Sequence, residues 1–296
     1  FIFRPETVME HLDTIDIDSA DFLKDPRQLP PLPDCVVKMQ GMISRPDVSV
    51  ESVSRLLMNE PVLTAHILRI VNSAYYGFRR EVDDVKFAVA YLGIHEIYNI
   101  VVSLSVVKTL GIEEKDELEA FWSHSVLTAL CARHLGKCFE PLLSPERIWL
   151  GAVLHDSGKL VSLRFFPDHY KAIKEYSKKH GVLFSDGEKH FALPSSGRLG
   201  GILCERWHLP TIVRDACEGH DVEDLDNDSG GSRGDFRRII CAANLMAILS
   251  TDDLNHDVKQ HLFDTLKAHF KMNDKEFLQL MGEVYDLKLD LANYRW

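Results

Sequence analysis

Ser144-Pro-Glu-Arg-Ile-Trp-Leu-Gly-Ala-Val-Leu-His-Asp-Ser-Gly-Lys159 is the stretch from which the fold of this 296-residue chain can be read. Its first three residues predict a helix start: a hydroxyl to cap free amides, a proline at the first helical position, and Glu146 at the positive end of the dipole. Ile148, Trp149, Leu150, Ala152, Val153 and Leu154 then make the helix apolar on most faces, so it is expected to be buried. It carries His155-Asp156 at its inner end and is expected to stop near Gly158. A carboxylate taken into an apolar interior costs several kcal/mol unless a cation or hydrogen bonds satisfy it. Two compensators fit Asp156: Lys159, three residues on across one turn, or a divalent metal shared with imidazoles from other helices.

Working outward, two such imidazoles are available. Leu118 to Phe139 reads as one long helix whose Ala120, Leu127 and Cys131 face also carries His124. The series Ile212, Val213, Ala216 and Cys217 continues by helical spacing to His220, near another helix end. The candidate metal ligands are therefore His124, His155, Asp156 and His220, and each histidine alone also reads as a hydrogen-bonded core residue.

Helical spacing fills the rest of the chain, with no sustained period of two, so the expected fold is all-α. Ser49 predicts a cap for a helix with Val50, Val53 and Leu57 inward, and Pro61 the first turn of the next, which runs to a turn at Asn72-Ser-Ala-Tyr-Tyr-Gly77. That turn reads either as a binding lip or, better, as a structural lock. Helices through Val85, Val89 and Leu92 and from Ile94 to Leu104 are separated at Gly93. The last helix runs through Phe277, Leu280, Met281, Val284 and Leu287. Gln28-Leu-Pro-Pro-Leu-Pro33 interrupts any helix, and Gly111 to Glu117 is the candidate joint between domains. The expected organisation is an extension or linker over 1–23, a helical subdomain over 24–110 and a helical bundle over 111–296. Val222 to Phe236 lacks apolar period and reads as a mobile loop; its Asp224, Asp226, Asp228 start like a calcium loop, but Ser229 and Asp235 stand where glycine and glutamate are needed.

Composition excludes several functions. With 45 acidic against 34 basic residues the net charge is -11, which argues against a nucleic-acid partner. Six cysteines without Cys-x-x-Cys spacing read as buried free thiols of a reducing compartment. The apolar run Ile100 to Val107 is far too short for a membrane span, and no basic-then-apolar leader precedes it, so the expected location is the cytoplasm. The chain has no phosphate loop, nucleophile elbow or zinc-finger spacing, and Gly197 to Gly201 reads as close helix packing.

Leu29-Pro-Pro-Leu-Pro33, Glu60-Pro-Val-Leu-Thr64, Val71-Asn-Ser-Ala-Tyr-Tyr-Gly77, Ala90-Tyr-Leu-Gly93, Trp122-x-His124, Leu154-His-Asp-Ser-Gly-Lys159 and Trp207-x-Leu-Pro210, in this order, resemble the HDOD family. The resemblance implies an all-helical relative of the HD-type metal phosphohydrolases, found in bacterial signalling proteins and generally short of the full catalytic set. Against the related HD-GYP pattern, His124, His155, Asp156 and His220 stand at ligand positions. Ser196 stands where a histidine is expected, Gly219 replaces the first of a histidine pair, and Asn244 replaces the closing aspartate. What remains has ligands for one divalent ion, of iron, zinc, manganese or nickel, and not for two; the alternative is an empty, hydrogen-bonded remnant with no cofactor. The leading expectation is a regulatory output module that contacts an unidentified signalling protein. The alternatives are a metal-dependent phosphohydrolase of nucleotides or cyclic dinucleotides, and a sensor that binds a nucleotide without cleaving it.

Overall fold

The computed structural model describes residues 29–72, 76–225 and 231–291, and every regular element among them is helical. The extension expected over 1–23 lies outside the described residues, as do Ser73, Ala74 and Tyr75 of the turn and 226–230 of the expected loop. Leu29 and Leu32 are buried, and Pro33 sets the extended backbone from which α1 (Asp34–Ile43) starts. The proline-rich entry is tied to the far half of the chain: Trp207 donates its indole N–H to Pro30 O at 3.2 Å, and Gln40 donates its amide to His208 O at 3.1 Å.

Ser49 and Ser52 close a reciprocal cap on α2 (Val50–Met58), each donating a backbone N–H to the other's hydroxyl at 3.2 Å. Pro61 occupies the first position of α3 (Pro61–Val71). Asn72 then clamps the following loop, accepting the Val82 N–H at 2.7 Å and donating to Val82 O at 2.8 Å. Gly93, at φ +88°, separates α4 (Val85–Leu92) from α5 (Ile94–Leu110), a reversal that a side chain would strain. The apolar run in α5 is core, and no single helix among the described residues is long and apolar enough to cross a membrane.

In the second half, α6 (Lys115–Phe139) packs along α7 (Pro145–Leu154), whose start is capped by Ser144 accepting the Arg147 N–H at 3.3 Å. Next come α8 (Ser157–Phe165), α9 (Pro167–His180), α10 (Phe184–His190), α11 (Ser196–Arg206) and α12 (Thr211–Cys217). Helix α13 (Gly231–Thr251) lies on α6, α8 lies against α11, and α14 (His256–His269) and α15 (Asp274–Leu291) finish the chain. Buried apolar side chains from Leu29 to Val284 form one continuous core that both halves share, and α5 rests on α7 and α8. At this junction buried Glu96 accepts from Tyr76 Oη at 3.0 Å and from Arg133 at 2.8 Å, and the Arg133 guanidinium lies 4.4 Å from the Trp149 ring centre.

Three expectations need correction. Residues 231–236 are not loop: Phe236 is buried on the same face as Ile239 and Ile240, and its ring fills the space a side chain at Gly151 would need. The Gly/Ser run before it hid the helical period. Cys138 is exposed, unlike the other five cysteines. The helix carrying His155 ends at Leu154 and resumes at Ser157, not at a stop near Gly158.

Candidate functional site

The break between α7 and α8 is where the site is built. Asp156 takes φ -93° and ψ 11°, and α8 then runs so close to α11 that a Cβ on Gly158 would lie 1.7 Å from Ser196 O. Gly197 and Gly200 make a second, less tight seam with α12, where added Cβ atoms would sit 2.7 Å from Cys217 O and 2.9 Å from its Sγ. These glycines pack helices, and they bring His220, just past the end of α12, over the His-Asp break.

Asp156 is 3% exposed and surrounded. Lys159 donates to its Oδ2 at 2.8 Å, and the Nε2 atoms of His124 and His155 stand 3.4 Å and 3.5 Å from that oxygen. His220 Nε2 stands 3.4 Å from Oδ1, which has no hydrogen-bond partner. Sequence-predicted His124, His155, Asp156 and His220 are thus brought together. Of the two compensators considered for the carboxylate, Lys159 is in place on Oδ2, and Oδ1 is left without a hydrogen-bond partner.

Backbone carbonyls set the imidazole tautomers. His155 Nδ1 donates to Ala152 O at 2.7 Å and His220 Nδ1 to Cys217 O at 2.7 Å, which leaves each Nε2 with its lone pair toward Asp156. Burial drives the His155 pKa down to about 3, so its ring is neutral and ligand-ready at neutral pH, and burial lowers His124 as well. Burial also opposes the charge on Asp156, but His155, Lys159, His124 and His220 together hold its carboxyl well below the usual range.

Asn244 completes the floor. Its Nδ2 donates to His220 O at 3.0 Å, which turns Oδ1 toward His124 Nε2 at 2.9 Å and His155 Nε2 at 3.3 Å. The amide oxygen and the bare His155 nitrogen are both acceptors, and no proton lies between them.

This donor set fits one divalent ion. Ligand atoms of His124, His155 and Asp156 lie within 4.8 Å of one another, His155 and His220 offer bare Nε2 atoms, and a buried carboxylate oxygen lacks a partner; His124, whose Nε2–H goes to Asn244, would bind an ion only in its other tautomer. It does not fit two ions. Asn244 is neutral, and a Cβ on Gly219 would lie 2.1 Å from Arg237 Nε, so a guanidinium fills the space a second imidazole would need. Ser196 gives its backbone N–H to buried Glu188 at 2.8 Å. Burial pushes the Glu188 carboxyl up to about 7, against the Ser196 N–H and Lys159, which lower it.

Glu188 and Arg237 escaped the sequence reading. Glu188 sits in the polar run Ser185-Asp-Gly-Glu-Lys-His190, and nothing in that run marks one carboxylate as buried. Arg237 follows a stretch that read as loop, and only its approach to Gly219 reveals its place.

A helical bundle in which a His-Asp break faces imidazoles from two other segments defines the HD-like class of all-α proteins. The HDOD domain model matches residues 29–222, and the chain belongs to the HDOD family. An HDOD domain protein of unknown function from Geobacter sulfurreducens has a similar solved structure, with a TM-score of 0.69 at 19% identity over 95% of this chain and 100% of that one. A protein of Shewanella amazonensis SB2B with a provisional phosphohydrolase name gives 0.66 at 20% identity, covering 92% and 97%. An uncharacterized protein of Treponema pallidum strain Nichols is 23% identical over 201 residues, which are 68% of this chain and 38% of that relative. The chain therefore spans well under half the length of the curated relative it matches. At these identities the likeness to the solved structures shows the fold.

Proposed function

We propose that this chain is a regulatory output module of bacterial signal transduction that works in the cytoplasm through contact with a partner protein, and that its HD-like centre holds a single divalent ion without hydrolysing phosphoesters. The observation that carries the reading is the Asn244 amide, held by His220 O at the place where a second carboxylate would be needed. Two-metal hydrolysis requires enough anionic ligands to hold both ions and to produce hydroxide. Here one carboxylate serves, and Lys159 already neutralises it. A bound ion would supply Lewis acidity and tie His124, His155, Asp156 and His220 into one cross-link between helices. The chain's own groups do the positioning: backbone carbonyls orient His155 and His220, and Asn244 orients His124.

The test is metal analysis of the purified protein, followed by a hydrolysis screen of nucleotides and cyclic dinucleotides with added manganese or iron. One ion per chain at most and no turnover are expected. Turnover that disappears in Asp156→Ala would overturn the reading and make the chain a hydrolase.

A further inference from the structure

A cleft of about 450 Å³ opens above the His-Asp floor and is walled by Phe121, Leu160, Tyr170, Phe184 and Ile248. The floor offers acceptors: Asp156 Oδ1 is buried without a partner, and His220 Nε2 stands 3.4 Å from it. The charges agree. Of the lining ammoniums, Lys159 is taken by Asp156 and Lys174 by Glu117 at 2.5 Å. That leaves Lys178 with Asp221, Asp252 and Asp253 among the lining residues, one positive against three negative, a surplus of two negative charges.

In the metal-free cleft a phosphate group would bring acceptors to the floor's acceptors and negative charge to a negative surplus, which disfavours it. A group that only donates matches it. A divalent ion is one such group. The other is an ammonium, whose three N–H donors need acceptors when buried and whose charge is favoured beside aromatic faces. The space beyond the floor, lined by Phe184, Leu160 and Ile248, exceeds what an ion fills and suits an alkyl stem.

We propose that the cleft binds a primary alkylammonium group, of a small diamine or of a lysine side chain on a partner, with its nitrogen on Asp156 Oδ1 and His220 Nε2 and its methylenes along Phe184 and Ile248. This rests on the reading that the floor does not process phosphoesters. Metal and amine share the same acceptors, so they compete.

The experiment is calorimetric titration of the full chain, freed of metal by chelation, with cadaverine and separately with Nα-acetyl-lysine N-methylamide, each repeated with excess manganese. Amine binding is expected, weakened by salt, by manganese, and about tenfold in an Asp252→Asn, Asp253→Asn double variant. Both aspartates are exposed, and a circular dichroism melt checks that the variant folds. Cadaverine alone binding identifies a free amine as the source; the lysine amide binding as tightly identifies a partner's lysine. No binding of either amine, binding of guanosine triphosphate instead, amine binding unmoved by manganese, or amine binding unmoved in the double variant would overturn the proposal. Failure here leaves the regulatory reading standing, whereas turnover in the hydrolysis screen removes that reading even with amine binding intact.

Discussion

Asn244 donates its side-chain amide to the backbone carbonyl of His220 at 3.0 Å, and through that one bond its amide oxygen is turned toward His124 and His155. Asn244 is 2% exposed, so whatever stands there must be satisfied from inside the protein. An amide can donate to His220 O and accept from His124 at once; a carboxylate cannot donate.

Asn244→Asp should therefore destabilise chelator-treated protein by about 2–4 kcal/mol, through the lost donor and a second buried negative charge beside Asp156. Manganese should recover most of that loss and bind more tightly than to the wild type. Thermal melts with chelator and with manganese measure both. A variant indifferent to manganese would mean that this centre takes no ion.

Buried Glu188 and His155 give stability opposite dependences on pH. The Glu188 pKa is raised to about 7, so its neutral form stabilises the folded state below the unfolded pKa, and that contribution is lost as pH rises toward 7. His155, lowered to about 3, is neutral when folded but protonates when unfolded, so its contribution is lost as pH falls from about 6.5 toward 3. Glu188→Gln keeps an acceptor for the Ser196 N–H and removes the first effect alone. Urea melts should show the variant gaining stability over wild type between pH 5 and about pH 8. Parallel curves for the two proteins would show that Glu188 does not titrate there.

Glu96→Ala tests the lock between the two halves. It strips Tyr76 and Arg133 of a shared acceptor and leaves a largely buried guanidinium over Trp149, at a cost of about 3 kcal/mol. Hydrogen exchange should rise in α4 and α5 before it rises in α13, since Glu96 anchors the N-terminal half. Uniform loss of protection would place the effect elsewhere.

Gly158→Ala should be among the most damaging small substitutions in the chain. The added carbon meets a backbone oxygen, Ser196 O, at 1.7 Å, and backbone cannot rotate out of the way as a side chain can. Loss of more than about 3 kcal/mol, seen as a collapsed melting temperature or insoluble protein, is expected. A near-wild-type melt would show that α8 and α11 are free to separate.

How much of this was legible beforehand follows from the range of each interaction. Ser49, Pro61, Ser144 and Gly93 announced helix ends because capping and backbone freedom act within a few residues. The faces of His124 and His220 followed from apolar spacing on their own helices, and that was enough to bring them toward His155 and Asp156. The expected loop over 222–236 failed at 231–236 because a glycine- and serine-rich lead-in masks the period that Phe236 begins.

By itself the sequence determined that the chain folds as helices, where most of them start, and which three imidazoles would converge on one buried carboxylate. Those properties depend on local backbone preferences and on a 3.6-residue period, both written in neighbouring residues. Only the tertiary structure decided what the centre is able to hold. That depends on Arg237 filling the space beside Gly219, on Asn244 being turned by His220 O, and on Glu188 being sealed from water, contacts between segments distant along the chain. Charge and hydrogen-bond satisfaction in a buried site are sums over everything within a few ångströms, and no local pattern carries that sum.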